Sequence, residues 1–306
     1  MAKSKGVVGI IGLGIMGGSF ARNLVKSGWR VFGYDISPAR RKELSQAGVT
    51  IAEGIPELAA AVPIIITSLP KPEALAAVAR TLASAKLPRK IIAECSTFTI
   101  EDKERAEAML RKAGHTLLDC PVSGTGSQAR TGDLVIYASG DGKAIAKIKP
   151  MFAGFSRKTY DVGPFGNGSK MKYVANLLVA INNVATAEAM VLGMKAGLDP
   201  QVIFEMIQNG AGNSRVFELR APMMVKNDYA SDVTMKCAIW QKDMDVIGGY
   251  AKKLRVPTPL FSATQPVYHA AIKAGYGEED TAAVCAVLEA KGAVKRKGKR
   301  LSLIHI

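Results

Sequence analysis

The chain has 306 residues, 48% apolar and 22% charged, a composition that fits an ordinary globular protein with room for two medium domains. Its net charge of +15 is uneven: Lys291, Lys295, Arg296, Lys297, Lys299 and Arg300 crowd the stretch 291–306 without an acid, leaving +9 for the body. No basic reading motif accompanies that charge, so no nucleic-acid partner is expected, and an anionic small molecule accounts for it as well. Four scattered cysteines without a Cys-x-x-Cys, and only three histidines, argue against a metal site, a disulfide framework and a histidine base.

The opening Met1-Ala2-Lys3-Ser4-Lys5 resembles a secretory leader only superficially, because glycines at 9, 12, 14, 17 and 18 make a poor leader helix. The best candidate for a membrane span is broken by Asn182, Asn183 and Glu188, so no membrane association and a cytoplasmic location are expected. Val7–Ile11 predicts a strand. It runs into Gly12-Leu13-Gly14-Ile15-Met16-Gly17 and then an amphipathic stretch, Ser19–Lys26. Glycines so spaced allow a tight turn, close approach of a pyrophosphate to backbone N–H groups, and close helix-to-strand packing. A second strand, Arg30–Tyr34, ends at Asp35, where a carboxylate accepts hydrogen bonds from ribose hydroxyls and repels a 2′-phosphate. The expected cofactor is therefore NAD. NADP is possible, since Arg40 and Arg41 follow closely and could pair with that phosphate; their other reading is a solvated helical turn.

Further strands are predicted at Ile64–Thr67, Ile91–Ala93, Thr116–Asp119, Leu134–Ala138 and Lys158–Asp161, with amphipathic stretches Arg40–Ala47, Glu73–Ala83 and Glu101–Ala113 between several of them. This alternation predicts an α/β fold with a doubly wound, mainly parallel sheet covered on both faces. Ligands bind outside the carboxyl ends of such strands, which adds Leu69, Pro70 and Thr97 to the expected cofactor side. Ser96, Thr97 or Thr99, ahead of Glu101 and Asp102, could instead cap the next helix. The turn Asp119-Cys120-Pro121-Val122-Ser123-Gly124-Thr125-Gly126 exposes backbone N–H groups suited to a carboxylate, with the Ser123 hydroxyl as an added donor.

Strand signals stop at Gly163-Pro164-Phe165-Gly166, so residues 1–164 are expected to form one domain and 165–293 an all-helical second one. Its first helix, 168–196, is long, and others are predicted at about 200–209, 216–226, 235–253, 261–274 and 280–291. Residues 294–306 read as a basic, disordered tail whose last six residues lie outside the natural fold. On the long helix, Lys172 and Asn176 sit one turn apart ahead of an apolar run, Leu177–Ile181. A helix so apolar is expected to be buried on most of its surface, and a charged amine there needs a reason. Lys170 points elsewhere and reads as solvated.

Together, G-x-G-x-M-G at the N-terminus, D-x-P-V-S-G at 119–124, G-x-G-x-x-x-K-x-x-x-N at 166–176 and Lys242-Asp243 resemble the β-hydroxyacid dehydrogenase family, over about residues 7–290. That family includes 3-hydroxyisobutyrate dehydrogenases and tartronate semialdehyde reductases. The resemblance implies a Rossmann domain and an all-α domain linked by a long helix, usually assembled as a homodimer or homotetramer. It makes Lys172 the catalytic acid/base and Asn176 its orienting neighbour. It puts a substrate carboxylate on the loop of Ser123, Gly124 and Thr125, with Thr97 and Lys242 near cofactor or substrate. The family's loop reads Ser-Gly-Gly, so Thr125 is a departure: threonine does not take positive φ cheaply, and a different loop path or a difference at the substrate's far end is expected.

The implied reaction is hydride transfer between NAD(P) and a small β-hydroxy acid, such as 3-hydroxyisobutyrate, or its semialdehyde. Two rival readings are an NADPH-dependent reductase of small aldehydes or imines, and a non-catalytic dinucleotide-binding interaction protein. Relatives of both the imine-reducing and the non-catalytic kind lack the lysine that is retained here.

Overall fold

The computed structural model describes residues 4–296. The chain begins with β1 (Val7–Ile11), α1 (Ile15–Lys26), β2 (Arg30–Tyr34), α2 (Pro38–Ser45), β3 (Thr50–Ile51), α3 (Ile55–Ala61) and β4 (Ile64–Thr67). It continues through α4 (Pro72–Ser84), β5 (Ile91–Glu94), α5 (Ile100–Lys112) and β6 (Thr116–Asp119). These strands form one all-parallel sheet in the order β3-β2-β1-β4-β5-β6, reversing direction of growth at β1 as a doubly wound sheet does. Val8 and Ile10 enter one apolar core with Phe20, Leu24, Phe152 and Phe155, whereas Ile11 enters another with Leu58, Leu75, Leu82, Phe98 and Leu110. Alternate residues of β1 thus feed cores on opposite faces, and the buried faces explain the near-continuous apolar strands.

Past β6 the expectation of a single sheet needs correcting. β7 (Val122–Ser123), α6 (Gly126–Thr131), β8 (Val135–Ala138), α7 (Gly142–Phe152) and β9 (Lys158–Asp161) build a separate three-stranded sheet, with β7 antiparallel and β9 parallel to β8. Asp119 and Ser139 exchange backbone hydrogen bonds of 3.0 and 2.8 Å, fastening the end of β6 beside the end of β8. The reversal follows Pro121, which has no N–H to extend β6.

Next comes α8 (Asn167–Lys195), then α9 (Pro200–Gln208), α10 (Arg215–Lys226), α11 (Cys237–Lys253), α12 (Pro259–Lys273) and α13 (Val284–Lys291), with 3₁₀ turns at Tyr276–Glu278 and Thr281–Ala283. The chain divides into two compact units, one ending at Ala175 and the other beginning at Asn176. This division falls inside α8, whose first turns are bonded to the α/β unit: Ser169 to Asp119 and Tyr173 to Phe98 O. At the other end, order continues past the expected limit of 293. Val294 is buried, and Arg296 pairs with Glu289 and donates to Val225 O at 3.0 Å. The rest of the expected tail, 297–306, lies outside the described residues.

The expectation of a mostly buried α8 also needs correcting. Its best window has a mean hydropathy of 1.5 and is 33% buried, so by length and composition it could cross a membrane. Its buried stripe is polar as well as apolar: Asn183 Nδ2 donates to Tyr268 Oη at 3.0 Å and to Thr281 O at 2.9 Å. That pairing belongs to a helix packed in a protein core. Val174, Leu178 and Leu192 remain more than half exposed on its other flanks.

In the helical unit, buried Asp280 gathers the elements. Arg220 of α10 pairs with it, while Thr234 N–H and Oγ1 (both 2.8 Å), Met235 N–H (3.1 Å) and Ala282 N–H (3.0 Å) donate to its carboxylate. Burial alone would raise its pKa, but the guanidinium and these donors outweigh it and hold the carboxyl below its usual 3.8. Stability from this group is therefore complete above that value and is lost as pH falls through the lower folded-state value.

Two outcomes follow for denaturant titrations. Arg220→Met, which strands a buried carboxylate, should cost about 3–5 kcal/mol at neutral pH, and wild type should lose stability below about pH 4 that Asp280→Asn does not lose. Gly17→Ala would put a Cβ 1.9 Å from Gly12 O and should cost about 1–3 kcal/mol as α1 is forced off β1.

Candidate functional site

The glycine turn after β1 has a separate reason for each glycine. Gly12 has φ +91°, and a Cβ on it would meet Ser68 O at 2.1 Å, so the turn presses against the end of β4. Gly17 lets α1 approach that turn. Gly14 meets nothing within 4 Å: its bareness leaves open space in front of the helix start, where a ligand can reach the backbone. α1 has neither a capping side chain nor an acid in its first turn, so its N–H groups and dipole face that space uncompensated. These features fit a dinucleotide pyrophosphate. Ile15 and Met16 supply the first turn of α1.

Asp35 lies beside this turn. Its Oδ2 accepts from Leu13 N–H at 2.7 Å and its Oδ1 from Ser37 N–H at 2.8 Å, which fixes the carboxylate and leaves each oxygen lone-pair capacity for a hydroxyl. The arginines behind it are locally committed. Arg40 bridges to Glu43 at 2.8 Å, as does Arg22, and Arg41 donates to Asp35 O at 2.9 Å. Glu43 is consequently held below the usual carboxylate range, chiefly by its hydrogen bonds to Arg40 and Arg22.

The ends of β1, β4 and β5 are stitched together in sequence. Ser68 N–H donates to Ile11 O at 3.0 Å, Leu69 N–H to Ser96 Oγ at 2.8 Å, and Ser96 N–H to Glu94 Oε1 at 2.9 Å. Leu69, Pro70 and half-buried Thr97 thus sit on segments adjoining the Gly12 turn. Ser96 bridges loops and caps no helix; the cap of α5 is Thr99, whose Oγ1 accepts from Asp102 N–H at 3.1 Å.

On the 119–126 turn, Gly124 takes φ +137° with Leu134 packed where a Cβ would be. Thr125 has φ −95°, so the strain expected of threonine is absent: it precedes α6 as an ordinary extended residue. Its N–H donates to Gln128 Oε1 at 3.1 Å, which removes one donor from those offered to a carboxylate, while its hydroxyl lies 2.8 Å from Ser127 Oγ. Ser123 pairs with Val135 in the small sheet and is half-buried.

Lys172 is 8% exposed, and Asn176, one turn on, is 4% exposed; Lys170 is exposed and donates to Asn167 Oδ1. The first turn of α8 borrows its caps from afar. Ser169 N–H donates to Asp119 Oδ2 at 2.7 Å and Gly168 N–H to Ser139 Oγ at 3.0 Å. Gly168 is confined there, since a Cβ would come within 2.5 Å of Tyr137 O and 2.7 Å of Asp119 O. In the helical unit, Asn176 Nδ2 donates to Asp243 Oδ2 at 3.0 Å, and Lys242 Nζ bridges Asp243 Oδ1 at 2.7 Å.

Sequence reasoning missed two features. Asp243 holds Asn176, although its pairing with Lys242 was visible. Lys103 is fully buried between Glu94 and Asp119, and its signal was a lysine on the stripe Lys103, Ala106, Leu110 at helical spacing. All four cysteines are buried and unbridged, and burial pushes Cys237 and Cys285 up to about 12.

Comparison with known proteins agrees with this geometry. Residues 7–163 match a family model described as the NAD binding domain of 6-phosphogluconate dehydrogenase. Residues 166–288 match one described as NAD-binding of NADP-dependent 3-hydroxyisobutyrate dehydrogenase. An L-threonate dehydrogenase of Cupriavidus necator is 32% identical, covering 90% of this chain and 94% of its own. A 2-(hydroxymethyl)glutarate dehydrogenase of Eubacterium barkeri is 30% identical over 95% of this chain and 97% of its own. Among solved structures, a 3-hydroxyisobutyrate dehydrogenase from Salmonella typhimurium superposes with a TM-score of 0.82 at 30% identity, covering 92% of this chain and 100% of that one. With the glycine turn, the parallel sheet and the helical second unit in place, the chain belongs to the β-hydroxyacid dehydrogenase family of NAD(P)-binding oxidoreductases.

Proposed function

We propose that the protein interconverts a small β-hydroxy acid, 3-hydroxyisobutyrate-like in size, and its semialdehyde, with Lys172 as acid/base. The observation that carries this reading is the buried amine itself. Lysine is almost always exposed, and this one lies buried on the polar stripe of α8 with Asn176. The relatives' names support the substrate class, since L-threonate, 2-(hydroxymethyl)glutarate and 3-hydroxyisobutyrate are all hydroxy acids.

In this reading the turn of Gly12, Leu13, Gly14, Ile15, Met16 and Gly17 receives the pyrophosphate, and Asp35 the adenosine ribose, which favours NAD over NADP. Leu69, Pro70 and Thr97 complete the cofactor side, with Lys242 near cofactor or substrate. Bound nicotinamide supplies the hydride chemistry. Ser123, Gly124 and Thr125 hold the substrate carboxylate through hydroxyl and backbone donors. Lys172 Nζ takes the hydroxyl proton during oxidation; during reduction its ammonium polarises the carbonyl oxygen and returns that proton. Asn176, itself fixed by Asp243, orients the oxygen. Assembly as a homodimer or homotetramer is part of the proposal, and the exposed Val174, Leu178 and Leu192 of α8 favour it.

A spectrophotometric screen of NAD and NADP against L-threonate, L-serine, 3-hydroxyisobutyrate and small semialdehydes tests the substrate class; no turnover on any of them would refute it. Lys172→Ala should bind NAD as wild type does in a fluorescence titration while kcat falls by roughly 10²-fold or more. An unaltered kcat would remove the acid/base assignment.

A further inference from the structure

The ammonium of Lys103 is fully buried on α5 and meets three oxygens on other parts of the α/β unit. It donates to Asp119 Oδ1 and to Ser96 O, both at 2.7 Å, and forms an ion pair with Glu94 Oε2 at 2.6 Å. The Glu94 contact is an ion pair whose angle is poor for a hydrogen bond, and that oxygen has no other donor. The carboxylates are engaged further. Asp119 also receives Ser169 N–H and Oγ and lies 3.3 Å from Ser139 Oγ, while Glu94 receives Ser96 N–H. Burial disfavours the ammonium, but Asp119 and Glu94 outweigh that and hold it well above the usual lysine range, so the amine stays charged.

A buried ion cluster is a poor source of stability, because desolvation consumes most of the attraction and apolar side chains fill such space as well. What it supplies is direction: three fixed acceptors determine where the strand ends lie. From Asp119 the constraint reaches Ser169 in the first turn of α8, and Lys172 is one turn further along the same face. From Ser96 it reaches Leu69 and the segment carrying Thr97.

We propose that Lys103 is a positioning residue that locks the ends of β5 and β6 to the first turn of α8 and thereby sets the place of Lys172. The kinetic part rests on the acid/base reading of Lys172; the structural part does not.

The test compares wild type, Lys103→Met and the charge-balanced Lys103→Met/Glu94→Gln. The double variant carries the test should the single one not fold. In the folded double variant, amide hydrogen exchange across residues 167–173 should accelerate about tenfold or more, while exchange in α11 stays within about twofold. On whichever of L-threonate, L-serine and 3-hydroxyisobutyrate the wild type turns over, kcat should fall about tenfold with KM little changed. Exchange at 167–173 and kcat both within twofold of wild type would overturn the proposal, leaving Lys103 as a neutraliser of buried carboxylates. Should the wild type turn over none of these acids, the functional reading fails, and the exchange measurement still decides the role of Lys103.

Discussion

The first turn of α8 has no capping side chain of its own, and Asp119, fifty residues earlier, accepts both the N–H and the hydroxyl of Ser169. Much of the α/β unit is arranged to surround this fully buried carboxylate with donors. Lys103 pairs with it from one side, Ser139 contributes a hydroxyl, and the helix start offers the Ser169 N–H from the other. Because the cap comes from the end of a core strand, the first turn of α8 is tied to the sheet that carries the glycine turn. A local cap would have satisfied the same N–H group without transmitting that position.

The helical unit solves a similar problem with different parts. Asp280 stands at the meeting of α10, the segment before α11 and a 3₁₀ turn, and Arg220 is its counter-ion. Asp243, also buried, divides its two oxygens between Asn176 and Lys242. In each case a carboxylate with several donors fixes elements that apolar packing alone would let slide, since apolar contact is non-directional whereas hydrogen bonds are not.

The parallel sheet and the glycine turn were legible because burial on both faces leaves runs such as Ile64-Ile65-Ile66 and because each glycine meets a steric demand. β3 and β7 escaped notice: two residues each are too few for a pattern, and their pairing is decided by partners distant in sequence. The second sheet was hidden for the same reason, since nothing in Val135–Ala138 says that its neighbours are β7 and β9. Lys172 stood out against an apolar run. Lys103 did not, because α5 is rich in charge and only the spacing to Ala106 and Leu110 distinguishes the one that turns inward. Thr125 misled: its place in the motif suggested positive φ, but the left-handed residue is its neighbour Gly124.

Gly168 bears on how such a scaffold diversifies. With carbonyl oxygens of Tyr137 and Asp119 crowding its α-carbon, it admits no side chain whatever, so the start of α8 is seated against the ends of β6 and β8. Sequence change is then cheaper elsewhere on the helix than at this position. Peripheral loops can drift while this contact between helix start and strand ends stays where it is.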